Sequence, residues 1–208
     1  MKLTLHYHPL SSFCWKVLVG LYELDVPFEP HLVDLSNPEA RAALAQLWPM
    51  TKFPVLHDGD RAIPESSIIL EYVDRERRLI PADPPRALEC RLRDRIYDAY
   101  VHAPLQAIIG DRLRPADARD AFGVERARAQ LETAYAIVDD HVRTGPWAMG
   151  DDFTLADCAA MPALYYANRV APLGRWNHLS AYLARLTARP SVARVLREAE
   201  PYLHMLPA

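Results

Sequence analysis

A chain of 208 residues has room for one large domain or two small ones, and with 50% of its residues apolar and 25% charged it can bury a sizeable core. Its 24 Lys and Arg against 27 Asp and Glu leave a formal charge of −3, which excludes the basic footprint of a nucleic-acid binder. No apolar run approaches the roughly 18 residues of a membrane span. The start MKLTLHYHPL lacks the order of a secretory leader, and Cys14, Cys90 and Cys158 are too far apart in sequence to suggest a disulfide framework, so a cytoplasmic globular protein is expected.

Residues 2–7 alternate apolar and polar side chains, which predicts a strand with Leu3, Leu5 and Tyr7 on one face. Pro9 ends it, and the apolar spacing from Phe13 to Leu21 predicts a helix. A second strand is expected over Phe28–Val33, then a helix opened by Asn37 as N-cap with Pro38 at its first position and running to about Leu47. Phe53 to Ile63 reads as a short hairpin turning at Asp58-Gly59-Asp60, and Ser66 to Arg77 as an amphipathic helix. The order is β-α-β-α-β-β-α, which buries its apolar stripes as a mixed sheet with helices on its faces. After the Pro-rich connector Ile80–Pro85 only helical patterns remain, near 86–114, 121–143, 155–170, 177–188 and 190–199. The expected division is an α/β domain over 1–78, a linker over 79–86 and an all-helical domain over 87–208. Within the second, Thr154 and Asp157 have the spacing of a capping box, with Phe153 set to staple onto Cys158.

With 7 glycines there is no Gly-rich phosphate cradle, so nucleotide chemistry is not expected. The histidines show no metal-binding spacing and no Cys pair is close enough for zinc, so no metal is expected either. Three segments remain. In Tyr7-His8-Pro9-Leu10-Ser11-Ser12-Phe13-Cys14 both serines precede a helical turn, where a hydroxyl can cap the helix or donate to a bound thiolate or other anion. Cys14, between Phe13 and Trp15, is expected to be buried and inert. In Lys52-Phe53-Pro54 an ordinary trans proline opening an edge strand is the expectation, and a cis bond would expose the Phe53 main chain. In Pro64-Glu65-Ser66-Ser67, Ser66 suits an N-cap, while a buried Glu65 beside the helix end would suit a substrate ammonium. Asp94, Asp98, His102 and Arg112 share one expected helix, as a solvated or interdomain face, and Tyr97, Tyr100, Tyr165, Tyr166 and Trp176 suit either a pocket lining or core.

These segments together resemble the soluble glutathione transferase family, over essentially the whole chain. SSFCWKV is similar to that family's S-x-x-C-[RK]-x-V, LWPMTKFPVLHDGDRAIPESSIILEYV to its N-P-x-G-K-V-P-x-L…D-G…E-S-x-x-I-x-x-Y-L, and GDDFTLADCAAMP to its second-domain capping motif. The resemblance, strongest to the bacterial theta- and delta-like serine type, implies a thioredoxin-like domain followed by an all-helical one, and a homodimer. It implies glutathione as cosubstrate, attacking a small hydrophobic electrophile in detoxification. By position, Ser11 matches the thiolate-bonding serine, with Tyr7 as the second choice for catalysis. Lys52, Phe53, Pro54, Glu65 and Ser66 match glutathione-binding positions, Pro54 being the match to the family's cis-proline, and Tyr100, His102 and Tyr166 are the expected electrophile pocket. Glutathione-dependent peroxide reduction, dehalogenation or isomerisation on the same site, or a non-catalytic binding or regulatory role, are the alternatives. Trp48 stands where Asn is usual and Thr51 where Gly is usual. Ser12-Phe13 departs from the S-S-C-S of zeta-like isomerases, and no cysteine stands at position 11, as omega- and beta-like redox chemistry would require.

Overall fold

The computed structural model describes residues 3–206. Four strands, β1 (Leu3–Tyr7), β2 (Glu29–Leu32), β3 (Val55–Asp58) and β4 (Arg61–Pro64), form one mixed sheet in the order β2-β1-β3-β4. Lys2, expected to open the first strand, lies outside the described residues. β1 runs parallel to β2 and antiparallel to β3, and β3 turns back into β4 through a two-residue loop in which Gly59 takes φ +60°. A hairpin loop this short needs that left-handed conformation, which glycine adopts without steric cost. β2 is exposed along its length and carries Pro30, as an edge strand can.

The register places Leu5 opposite Leu56 and Leu56 opposite Ile63, a buried apolar row across three strands. Leu3 and Tyr7 pack partly buried on the same cluster, as the alternation predicts. Helices α1 (Ser12–Glu23) and α3 (Ser66–Val73) contribute to this core, whereas α2 (Pro38–Leu47) covers part of the other face through Leu44, against Val33 and Val55. Asn37 caps α2 as expected, its side-chain oxygen accepting from the Glu39 and Ala40 N–H groups at 2.8 and 3.3 Å.

The second half is helical throughout. α4 (Pro84–Ile96) starts inside the expected linker, capped by Asp83, which accepts from the Arg86 N–H at 3.0 Å. The single helix expected over 86–114 is not uniform: a π-helical turn, Tyr97–His102, separates α4 from α5 (Ala103–Arg112). α6 (Ala121–His141), α7 (Leu155–Ala167), α8 (Asn177–Ala188) and α9 (Pro190–Ala199) follow. α7 is almost wholly buried and packs on α1, so α1 lies between the sheet and the helical half. The capping box at the start of α7 forms, and its Asp157 does more than cap. Fully buried, it accepts from the Thr154 N–H at 2.8 Å, the Ala148 N–H at 2.7 Å and the Tyr182 hydroxyl at 2.6 Å, tying three segments together.

A buried ionic cluster crosses the boundary between the halves. Lys16 of α1 has no exposed surface, and its ammonium lies 2.6 Å from Asp94 and 2.8 Å from Asp98. It also donates to the Ser67 hydroxyl of α3 at 2.9 Å, which in turn donates to Asp94 at 2.8 Å. Asp94 and Asp98 are therefore interdomain partners, not a solvated face.

Candidate functional site

The turn from β1 to α1 is fixed from both sides. The Trp15 indole N–H donates to the Pro9 carbonyl at 2.5 Å, and the Tyr166 hydroxyl of α7 donates to the Leu10 carbonyl at 2.9 Å. The two rings pack with centroids 4.9 Å apart. Ser11 follows as N-cap of α1, with φ −77° and ψ 121°, and its oxygen accepts from the Cys14 N–H at 3.3 Å. That bond uses a lone pair and leaves the hydroxyl proton free to donate to an anion near the partly positive helix end.

Ser12 differs from its neighbour. Its hydroxyl bonds to Nε2 of His102, at the end of the π-helical turn, and the two residues are 6% and 4% exposed. Burial first, and the Lys16 charge second, lower the His102 pKa to about 4. The imidazole is thus neutral near pH 7 and shares a hydrogen bond with the Ser12 hydroxyl, so Ser12 serves as an interdomain tie and Ser11 holds the uncommitted hydroxyl. Cys14 is fully buried and its thiol is pushed up to about 12 by desolvation, which makes it inert as expected.

The second wall comes from the loop after α2. The Phe53–Pro54 bond is cis, as the family resemblance implies and against the trans form that a proline ordinarily takes, and Thr51 sits at φ +53°. That left-handed conformation costs a residue with a Cβ about 1–2 kcal/mol and costs glycine nothing. Phe53 stacks on the His8 ring, with centroids 5.7 Å apart and planes 17° from parallel. Trp48, at the C-terminal end of α2, packs with Phe53 on the cluster under that helix.

Between these walls and α5 lies a cleft of about 540 Å³ lined by Leu10, Ser11, Ser12, Phe13, Leu35, Thr51, Lys52, Phe53, His102, Leu105, Gln106, Ile109, Tyr166 and Leu206. It brings together Ser11, Lys52, Phe53, His102 and Tyr166 from the expected set. Pro54 is buried behind Phe53, and Glu65 and Ser66 lie outside the lining. Glu65 is exposed, not buried, and it is Glu65, at φ +69°, that occupies the N-cap position of α3, with Ser66 as the first helical residue. Tyr7 does not join the cleft; it lines a separate one with Tyr22, Phe28 and Glu198, and burial raises its pKa. Tyr100 is 59% exposed and likewise outside. Gln106 and Ile109, which do line it, were missed in the sequence, although 102, 106 and 109 share a helical face.

A family model described as glutathione S-transferase, N-terminal domain, matches residues 5–81, and one described as glutathione S-transferase, C-terminal domain, matches residues 121–185. A human relative, glutathione S-transferase theta-1, is 36% identical over 182 residues, covering 80% of this chain and 73% of its own. The chain belongs to the glutathione S-transferase family. A probable maleylacetoacetate isomerase of Caenorhabditis elegans is 26% identical over 196 residues, covering 90% of this chain and 91% of its own. Among solved structures, a Methylobacillus flagellatus glutathione S-transferase with glutathione bound superimposes with a TM-score of 0.86 at 25% identity, over 93% of this chain and 98% of that one. The sheet with its three helices is thus the thioredoxin-like domain of this glutathione S-transferase fold, and the remainder its helical domain. No helix among the described residues is long and apolar enough to cross a membrane.

Proposed function

We propose that this family member is a glutathione transferase in which the Ser11 hydroxyl stabilises the glutathione thiolate for attack on a small hydrophobic electrophile. The observation that carries the reading is the uncommitted Ser11 proton at the head of α1, in one cleft with Lys52, Phe53 and an apolar wall from α5. Lys52 supplies a cation for the glycyl carboxylate, the Phe53 main chain pairs with the cysteinyl unit, and Glu65 with Ser66 at the start of α3 holds the γ-glutamyl end. A free thiol titrates near 8.5, so about 3% is thiolate at pH 7. A hydroxyl donor with a helix N-terminus lowers that pKa by about one to two units, raising the thiolate fraction to about a quarter to three quarters. The Caenorhabditis relative favours a second reading, a glutathione-dependent isomerisation on the same thiolate. A cytoplasmic, reducing setting suits three unpaired, buried cysteines. A second copy of the chain completes the assembly, by the exposed apolar positions Ile68, Leu88, Leu92 and Tyr100 on α3, α4 and the π-helical turn.

The test is calorimetric titration with glutathione combined with turnover of chlorodinitrobenzene. Ser11→Ala is expected to bind glutathione normally and lose about tenfold or more in turnover at pH 7, the cost of returning the thiol to its free pKa. Glu65→Ala is expected to weaken binding with little change in turnover at saturation. Equal turnover in Ser11→Ala, or no glutathione binding by the parent chain, overturns the reading.

A further inference from the structure

The wall facing Ser11 is built where the π-helical turn passes into α5. His102 and Gln106 lie one helical turn apart there, with Ile109 on the same face. Among the described residues lining the cleft, Lys52 is the only lysine or arginine, and no Asp or Glu is present. Once Lys52 meets a glutathione carboxylate, the surface left for the electrophile is uncharged, and a dicarboxylate would find no second cation on it. Its apolar part includes Phe13, Leu105, Ile109 and Leu206.

Its polar part is the pair His102 and Gln106, whose side-chain nitrogens lie 3.3 Å apart. Nε2 of a neutral imidazole makes one hydrogen bond, as donor or acceptor according to the tautomer, and the closer contact, to the Ser12 hydroxyl, takes it. Ser12 is buried and has no other side-chain hydrogen bond among the described residues, so it keeps that partner. Gln106 is exposed at the cleft and retains N–H groups for a ligand. The cleft therefore offers a neutral hydrogen-bond donor across from the thiolate site, with apolar surface beside it.

We infer that Gln106 is a specificity-determining residue that donates to a carbonyl oxygen conjugated with the electrophilic carbon, so that neutral α,β-unsaturated carbonyl compounds are the preferred electrophiles. This rests on the thiolate reading of the cleft. The thiolate forms a bond to the β-carbon, the C=C π pair moves toward the α-carbon, and negative charge reaches the carbonyl oxygen as an enolate. The α-carbon then takes a proton from water, giving a neutral thioether adduct. A donor aimed at that oxygen binds the enolate more strongly than the carbonyl and so acts mainly in the transition state. Displacement of halide from a benzylic carbon carries the charge away on the leaving halide, develops none on an oxygen, and gains nothing from the same donor.

The experiment compares kcat and KM of the full chain and of Gln106→Met with cinnamaldehyde and with benzyl chloride, at saturating glutathione and above the uncatalysed rate. Methionine keeps the length and helix propensity at this exposed position and removes the donor. The expected result is a loss of about tenfold in kcat for cinnamaldehyde with the benzyl halide changed by no more than about twofold. Equal losses with both substrates, no loss with either, or a parent chain that turns over the benzyl halide alone would each overturn the inference and leave the thiolate site standing. Glutathione binding without turnover of either electrophile overturns it too. Failure to bind glutathione at all strikes instead at the thiolate reading beneath it.

Discussion

His102 is 4% exposed, and burial with the Lys16 charge nearby lowers its pKa from 6.5 to about 4. In the unfolded chain the same imidazole titrates at about 6.5. Between those values the unfolded state holds a proton that the folded state refuses, so stability falls as pH drops through this window. The contribution of this residue is fully present above pH 6.5 and declines by about 1.4 kcal/mol per pH unit on acidification. His6, His8 and His141 are shifted the same way, mainly by burial, so the measurement must be a difference. Urea unfolding of the parent chain and of His102→Gln at pH 7 and pH 5 is expected to show a smaller pH dependence in the variant. Parallel curves would mean that His102 is not the neutral partner of Ser12. The same residue scale explains why Cys14 and Ser11, three positions apart, have opposite capacities: one is sealed under α1, and the other holds its hydroxyl at the helix end.

At the level of elements, the Lys16 cluster joins α1, α3, α4 and the π-helical turn with two carboxylates to one ammonium. Taking such charges out of water is costly, and removing one partner is worse than having none. Lys16→Ala leaves Asp94 and Asp98 with no buried cation, only the exposed Arg95 lying 3.5 Å from Asp98, and a loss of about 3–5 kcal/mol in urea unfolding is expected. Adding Asp94→Asn to that variant should recover part of the loss, whereas a cost below about 1 kcal/mol would show the cluster to be well solvated. This cluster also marks where sequence reading ends. Helix ends set by local chemistry were legible: Asn37-Pro38, Thr154 with Asp157, and the Asp-Gly hairpin all form as their side chains demand. So was most of the cleft's thioredoxin-domain wall, because Ser11, Lys52 and Phe53 sit at turns with a readable motif. The burial of Lys16 depends on partners some eighty positions away, to which helical periodicity is blind. The π-helical turn at 97–102 interrupts no apolar pattern, since a single inserted residue shifts the face without breaking the run. The cis form of Phe53–Pro54 was legible only through the family motif, as tertiary contacts choose between isomers that differ by only about 0.5–1 kcal/mol in a free chain. Whether Glu65 is buried was not legible: its φ of +69° turns on how β4 meets α3, not on its own side chain.

For the whole molecule, the question is what covers α3 and α4. Leu88 and Leu92 are 70% and 53% exposed and lie one turn apart on α4, so they share a face. Ile68 of α3 is 53% exposed, and Arg91 of α4 bridges to Glu71 of α3 with two bonds of 2.8 and 2.7 Å, which holds the helices as a pair. Scattered exposed apolar residues need no partner, but several large ones on two linked helices mark a surface that association would bury. A second copy meeting this face about a two-fold axis makes the contact self-complementary and closed. Sedimentation equilibrium of the parent chain should then give twice the chain mass, and Leu88→Glu with Leu92→Glu should return it to the single-chain mass while leaving the circular dichroism unchanged. The substitutions are on solvent-facing helix positions, where glutamate is a good helix former, so unfolding is not the expected cause of dissociation. Because α3 begins at Glu65 and Ser66, the monomeric variant should also bind glutathione more weakly if association steadies that helix. A parent chain that sediments as a monomer, or a variant that remains a dimer, would place the contact elsewhere and leave the α3–α4 face without this role.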